Sequence, residues 1–135
     1  MNTQIATSQY MLLFRGTHWD KNLSPEQIQN YMSRWMAWYD KLVREEKIKS
    51  AHPLANEGKI VSKKKGLVVA DGPFAESKEA IGGYFLLLVN HLDEALEIAK
   101  ECPALDYGVT VEVRPVAEQC AKMQYLKSQL VGATA

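Results

Sequence analysis

Residues 83–89 read GYFLLLV, a run that is apolar on both parities. A strand with one wet face alternates apolar and polar side chains. A run without alternation fits a strand covered on both faces. YMLLF, Tyr10–Phe14, has the same character. Two such strands predict a buried sheet at the centre of the molecule. The composition agrees: the 135 residues are 47% hydrophobic and 24% charged, as expected of a globular chain of single-domain length.

The segments around these strands supply helices. In SPEQ, Ser24 is a good N-cap, Pro25 suits the first helical position, and Gln27 completes a capping box. Ile28, Met32, Trp35, Tyr39, Leu42 and Val43 then recur at helical spacing, predicting a helix from about Pro25 to Glu46. Tyr31 and Trp38 lie off that stripe. They either widen the buried face or line a cleft or partner surface. Ile48–Pro53 predicts a short strand, ended at His52-Pro53 because proline lacks a ladder donor. KIVS and GLVVA flank Lys63, Lys64 and Lys65 and predict a hairpin with a solvated tip.

Asn90 is expected to cap a second helix, supported by Asp93, with a buried stripe of Leu92, Ala95, Leu96, Ala99 and Cys102 and a stop at Pro103. VTVEVRP, Val109–Pro115, alternates as a strand with one polar face. Ala117–Leu130 has helical periodicity. With no repeat, linker or low-complexity segment, the chain reads as one domain over 1–135, a core at about 9–116 and a helical tail at 117–135. The order of elements predicts an α+β fold, a ferredoxin-like βαββαβ unit with an antiparallel sheet. Two helices cover only one face of such a sheet, yet YMLLF and GYFLLLV are apolar on both. The second face therefore predicts a homodimer, packed sheet to sheet.

Composition also narrows the function. Lys plus Arg and Asp plus Glu are both 16, so the net charge is zero and no nucleic-acid partner is expected. No apolar stretch approaches the ~18 residues of a membrane span. Met1–Gln9 is polar and unlike a secretory leader. Cys102 and Cys120 are far apart and make no CxxC, which suits reduced thiols and a cytoplasmic location. His18, His52 and His91 are scattered, so no metal site is expected. Phosphate-binding glycine loops and nucleophile motifs are missing, so no cofactor is expected.

Acid–base chemistry has two candidates. Asp71, at a strand end, suits a general base or a hydrogen-bond anchor, but Asp71-Gly72-Pro73 is equally good turn chemistry. His52 is of the residue type suited to acid–base work, and a histidine beside proline at a strand end is often structural. Arg15 and Arg114 border apolar strands and suit either an anion or a surface carboxylate.

Three stretches together resemble a known family: DGPFAESKEAIGGYFLL, LDEALEIAKECP and GVTVEVRPV. They look like the hallmark of the YCII-related, DGPF-type domain family. The resemblance extends from YMLLFRG through SPEQIQNYMSRWMAWYDKL to Val116. It implies a dimeric α+β barrel. It also implies a cleft that holds a His–Asp pair in many members, and association with extracytoplasmic-function sigma factors in the DGPF branch. The position matching the family histidine is Trp35, and no histidine occurs between Pro25 and Glu46.

Three readings follow. The first is a binding protein holding a small organic ligand or regulatory partner between the sheet and the first helix. Trp35, Trp38, Tyr39 and Phe74 would form its walls, and Arg15, Glu76, Lys78 and Arg114 its polar contacts. The second is a cofactor-independent isomerase or proton-transfer enzyme centred on Asp71, with His52. The third gives the DGPF loop a structural role at the dimer interface. In each, Gly82-Gly83 is expected to permit close backbone approach.

Overall fold

The computed structural model describes residues 8–16, 19–63, 65–72, 80–117 and 121–134. In chain order the elements are β1 (Gln9–Arg15), α1 (Pro25–Arg44), β2 (Ile48–Pro53), β3 (Lys59–Lys63), β4 (Leu67–Asp71), β5 (Ile81–Leu88), α2 (Leu92–Lys100), a 3-10 turn (Pro103–Tyr107), β6 (Thr110–Pro115) and α3 (Ala121–Thr134). The main sheet has the order β2-β5-β1-β6, with every neighbouring pair antiparallel. This is the ferredoxin-like α+β arrangement expected from the sequence. The β3–β4 hairpin is inserted between the second and third strands of the main sheet and forms a sheet of its own. No helix among the described residues is long and apolar enough to cross a membrane.

The two non-alternating runs occupy the two central strands. Tyr10 faces Leu87, Leu12 faces Phe85 and Phe14 faces Gly83 across the β1–β5 ladder. Period-two alternation then divides their side chains. Leu12, Phe14, Phe85 and Leu87 point to the buried face, on which α1 and α2 lie. Met11, Leu13, Tyr84, Leu86 and Leu88 point to the opposite face and are only half-buried.

Helix α1 starts as its sequence dictates. The Ser24 hydroxyl accepts from the Gln27 N–H, and the Gln27 side chain accepts from the Ser24 N–H. Its buried face differs from the expected stripe. Tyr31, Trp38 and Leu42 are buried, whereas Met32 and Val43 are 47% and 46% exposed. The helix has rotated to bury its aromatic side chains. Rings offer more apolar area than Met or Val and gain edge-to-face contacts as well.

Helix α2 also departs from expectation. Its N-cap is His91, not Asn90, and no side chain bonds the cap. Ala95, Ile98, Ala99 and Cys102 form the buried stripe, while Leu92 and Leu96 are exposed. The spacing 95, 98, 99, 102 is itself helical. Alanine at two of these positions lets the helix sit close to the sheet, and Ile98 fills the remaining space. Cys102 is buried as expected.

The end of α1 holds a strained residue. The Lys47 N–H donates to the Leu42 carbonyl at 2.9 Å and the Glu46 N–H to the Val43 carbonyl at 3.0 Å, the Schellman pattern. It places Glu46 at φ 56°, a left-handed conformation that favours glycine. Glu46→Gly should therefore stabilise the fold by about 1 kcal/mol, read as a higher urea midpoint with an unchanged m-value.

Candidate functional site

Between α1 and the end of the sheet where β2 stops and β5 begins lies a cavity of about 500 Å³. That is within the usual range for a small-molecule site. Its walls are largely rings: Phe14 and Phe85 from the sheet, Tyr31, Trp35 and Tyr39 from α1, and Trp19 from the turn before it. The rotation of α1 that buried its aromatic stripe thus also aimed Trp35 and Tyr39 at this space.

Trp35 is the hub of the rings. Its centroid lies 5.3 Å from Phe14, 5.6 Å from Phe85, 6.0 Å from Tyr31 and 5.2 Å from Trp38. Trp19 packs on Tyr31 at 4.3 Å. Two features fix the far wall. Arg34 bonds Asp106 at 3.1 and 3.2 Å, tying α1 to the 3-10 turn, and Tyr107 meets Tyr31 edge-on at 5.5 Å. Where the sheet ends, Gly83 allows β2 and β5 to approach. A Cβ there would meet the His52 carbonyl oxygen at 3.0 Å and the Pro53 Cα at 3.2 Å. Close approach was expected at this pair of glycines, and Gly83 provides it.

The wall carries little charge. Among the described residues, no Asp, Glu, Lys or Arg lines the cavity. Burial pushes the Tyr31 phenol up to about 12, helped by the nearby Cys102 and opposed by Arg34. Burial likewise pushes the Cys102 thiol up to about 11, although the Ala104 and Leu105 backbone bonds pull it back. At neutral pH both groups are protonated, so neither is a ready nucleophile or base.

The residues singled out from the sequence separate into four places. Trp35 and Tyr39 line the cavity. Trp38 lies behind it in the core, stacked on Phe85 at 5.1 Å, and its indole N–H has no hydrogen-bond partner among the described residues. Of the two places the sequence leaves open for it, buried face or cleft wall, its side chain takes the buried face. Phe74, Glu76 and Lys78 lie outside the described residues, as does His18.

The remaining four are Asp71, His52, Arg15 and Arg114. Asp71 ends β4 and pairs with Lys59 across the hairpin, both side chains well exposed. His52 contributes to the cavity rim. Its neighbour Ala51 faces Phe85 on the buried side, so alternation sends the His52 ring to the opposite face, where it lies 5.8 Å from Tyr84. His52 and Asp71 therefore belong to separate sheets and have separate partners. Arg15 is on that opposite face too, bonded to Glu112 at 2.6 and 3.0 Å. Arg114 reaches the same carboxylate at 3.6 Å.

Sequence reasoning missed Trp19, which sits in a stretch that reads as a polar turn. It also gave Phe14 and Phe85 no role beyond the sheet. The signal for the two phenylalanines is their parity, which they share with the buried Leu12 and Leu87. Trp19 has no periodic signal, because only the path of the turn brings it onto Tyr31.

Comparison with known proteins agrees with the resemblance seen in the sequence. The family model of the YCII-related domain matches residues 9–119. An uncharacterised protein of Rhizobium meliloti (strain 1021) is 43% identical over 51 residues, or 37% of this chain and 41% of that protein. The match thus spans about two fifths of the relative's length.

The buried thiol and phenol have a consequence for stability. A group whose folded pKa is raised contributes fully below its unfolded value and loses that contribution as pH rises through the folded one. For Cys102 that window runs from its ordinary 9.0 to about 11, and for Tyr31 from 10.0 to about 12. Urea unfolding at stepped pH should show stability falling from pH 9 upward, each group adding a slope of up to about 1.4 kcal/mol per pH unit. Cys102→Ala should flatten the part between pH 9 and 11.

Proposed function

This chain belongs to the YCII-related domain family, and we propose that it binds a small organic ligand in the cavity between α1 and the sheet, without turnover. The observation that carries this reading is the ring-lined cavity itself, of ligand size and with no Asp, Glu, Lys or Arg among its described lining residues. The enzyme reading has less support. Asp71 is engaged with Lys59 in an exposed pair on the hairpin, and His52 at the cavity rim packs beside Tyr84 with no carboxylate among its described partners. Trp35 occupies the place of the histidine that the family resemblance implies, so the centre of the cavity offers a flat apolar surface where a proton carrier was expected.

The protein acts as a homodimer in this reading. Met11, Leu13, Tyr84, Leu86 and Leu88 form an apolar stripe on the face opposite the helices. The hairpin adds exposed apolar residues, among them Val61 at 63% and Leu67 at 71%. A two-stranded hairpin is marginal in water on its own, and exposed apolar patches of this extent suit an interface. The sheet face of a second copy matches this stripe in shape and chemistry.

Two measurements test these readings. A library of small organic compounds, screened by ligand-observed NMR, should yield saturable binders whose affinity falls at least about tenfold in Trp35→Ala and is unchanged in Asp71→Asn. Binding that needs Asp71 but tolerates loss of Trp35 would move the site away from the cavity. For the assembly, sedimentation equilibrium should give twice the chain mass, and Leu86→Glu should weaken the dimer on the order of a hundredfold or more, because each copy would bury an unpaired carboxylate. A monomer at micromolar concentration rejects the dimer.

A further inference from the structure

We infer that the ligand is an uncharged, planar aromatic molecule of two or more rings, held against Trp35. The inference rests on the cavity being the binding site. Three observations carry it: the size of the space, the absence of counter-charges among its described residues, and the arrangement of its rings.

Size comes first. A space of about 500 Å³ is far larger than a single methylammonium or carboxylate group needs, so it is not a cage for one small ion. Charge comes second. An ionised ligand entering this wall would lose hydration and meet no Asp, Glu, Lys or Arg among the described lining residues, with His52 at the rim the one ionisable nitrogen there. Charged side chains on the elements around the cavity are paired: Arg34 with Asp106, and Arg15 with Glu112 on the other side of the sheet. The neutral phenol and thiol beside the cavity point the same way.

Ring arrangement comes third. The lining rings do not stack flat on one another. Phe14 meets Trp35 at 65° and Phe85 at 80°, and Tyr31 meets Trp35 at 44°. Tilted rings meeting at one indole present both edges and faces, and a flat ligand can extend that edge-to-face and offset pattern. Each such contact is worth about 0.5–1.5 kcal/mol beyond the area buried. A saturated molecule of the same outline gains only the area. Polar recognition among the described lining residues falls to uncharged or rim groups, namely the tyrosine hydroxyls, His52 and the Asn56 amide. One hydroxyl or carbonyl on the ligand suits that.

Four probes of one carbon skeleton separate the possibilities: 2-naphthol, 2-naphthoate, 2-naphthylmethylammonium and decahydro-2-naphthol, each titrated calorimetrically into the full chain at neutral pH. We expect 2-naphthol to bind at least about tenfold tighter than either ion. It should also bind about two- to tenfold tighter than its saturated counterpart. In Trp35→Leu, the preference for the flat over the saturated alcohol should vanish while the saturated alcohol still binds.

Other outcomes overturn the inference in separable ways. Tightest binding of the ammonium would mean that ring faces recognise a cation. Tightest binding of the naphthoate would mean that a cationic group outside the described lining serves the cavity. Equal or tighter binding of the decahydro compound would leave a ligand site that selects apolar volume alone. Binding of none of the four would reject the ligand site together with its proposed chemistry.

Discussion

The packing of the α1 aromatic stripe on Phe14 and Phe85 is the contact on which the rest of the structure depends. Trp38 stacks on Phe85, Trp35 lies edge-on to both phenylalanines, and Tyr31 carries the ring contacts toward the 3-10 turn. This contact sets the rotation of the helix about its axis. That rotation decides which side chains fill the core and which face the cavity. Trp38 went to the core and Trp35 to its boundary, although they are only three positions apart. One helix face therefore serves both stability and the candidate site, and the ring that links the two is Trp35.

Charge is distributed to complement this. The ion pairs of the described residues lie at the periphery or on the far side of the sheet. Lys59–Asp71 closes the open end of the hairpin, Arg34–Asp106 holds the 3-10 turn to α1, and Arg15–Glu112 sits on the opposite sheet face. The exposed pairs, Lys59–Asp71 and Arg34–Asp106, contribute little to stability, on the order of 0–1 kcal/mol each, whereas Arg15–Glu112 is part-buried. Their consequence for function is larger. They occupy the very groups that a sequence-based search selects for acid–base or anion chemistry, and they leave the cavity to rings.

The sheet has two unlike faces. One is filled by the helices and carries the cavity at its end. The other has an apolar stripe bordered by the Arg15–Glu112–Arg114 cluster and the His52–Tyr84 pair. Period-two alternation underlies this separation. Alternation turns His52 from the side of Ala51 to that of Tyr84, and Arg15, beyond an irregularity in the β1–β5 pairing, is held on the far face by its bond to Glu112.

Much of the fold was legible in the chain. The two non-alternating runs identified the central strands, the Ser24 capping box marked the start of α1, and the element order yielded the ferredoxin-like unit. These are local signals, set by backbone geometry and short-range bonds, so they survive without knowledge of the packing. The DGPF-type stretch identified the family for the same reason, as a contiguous pattern. What the chain could not reveal is how its elements are turned against one another. Two helical stripes compete on α1, and only contact with Phe14 and Phe85 selects the aromatic one. On α2 the alanine-rich stripe wins over the leucines because it permits closer approach to the sheet. The candidate site is a product of such long-range choices. Trp19 reaches Tyr31 through the path of a turn, and His52 and Asp71 are kept apart by strand parity and by membership of different sheets. The sequence determined the elements and their order through local chemistry. The tertiary structure decided which faces meet, because those choices depend on burying the largest apolar area between partners distant in the chain.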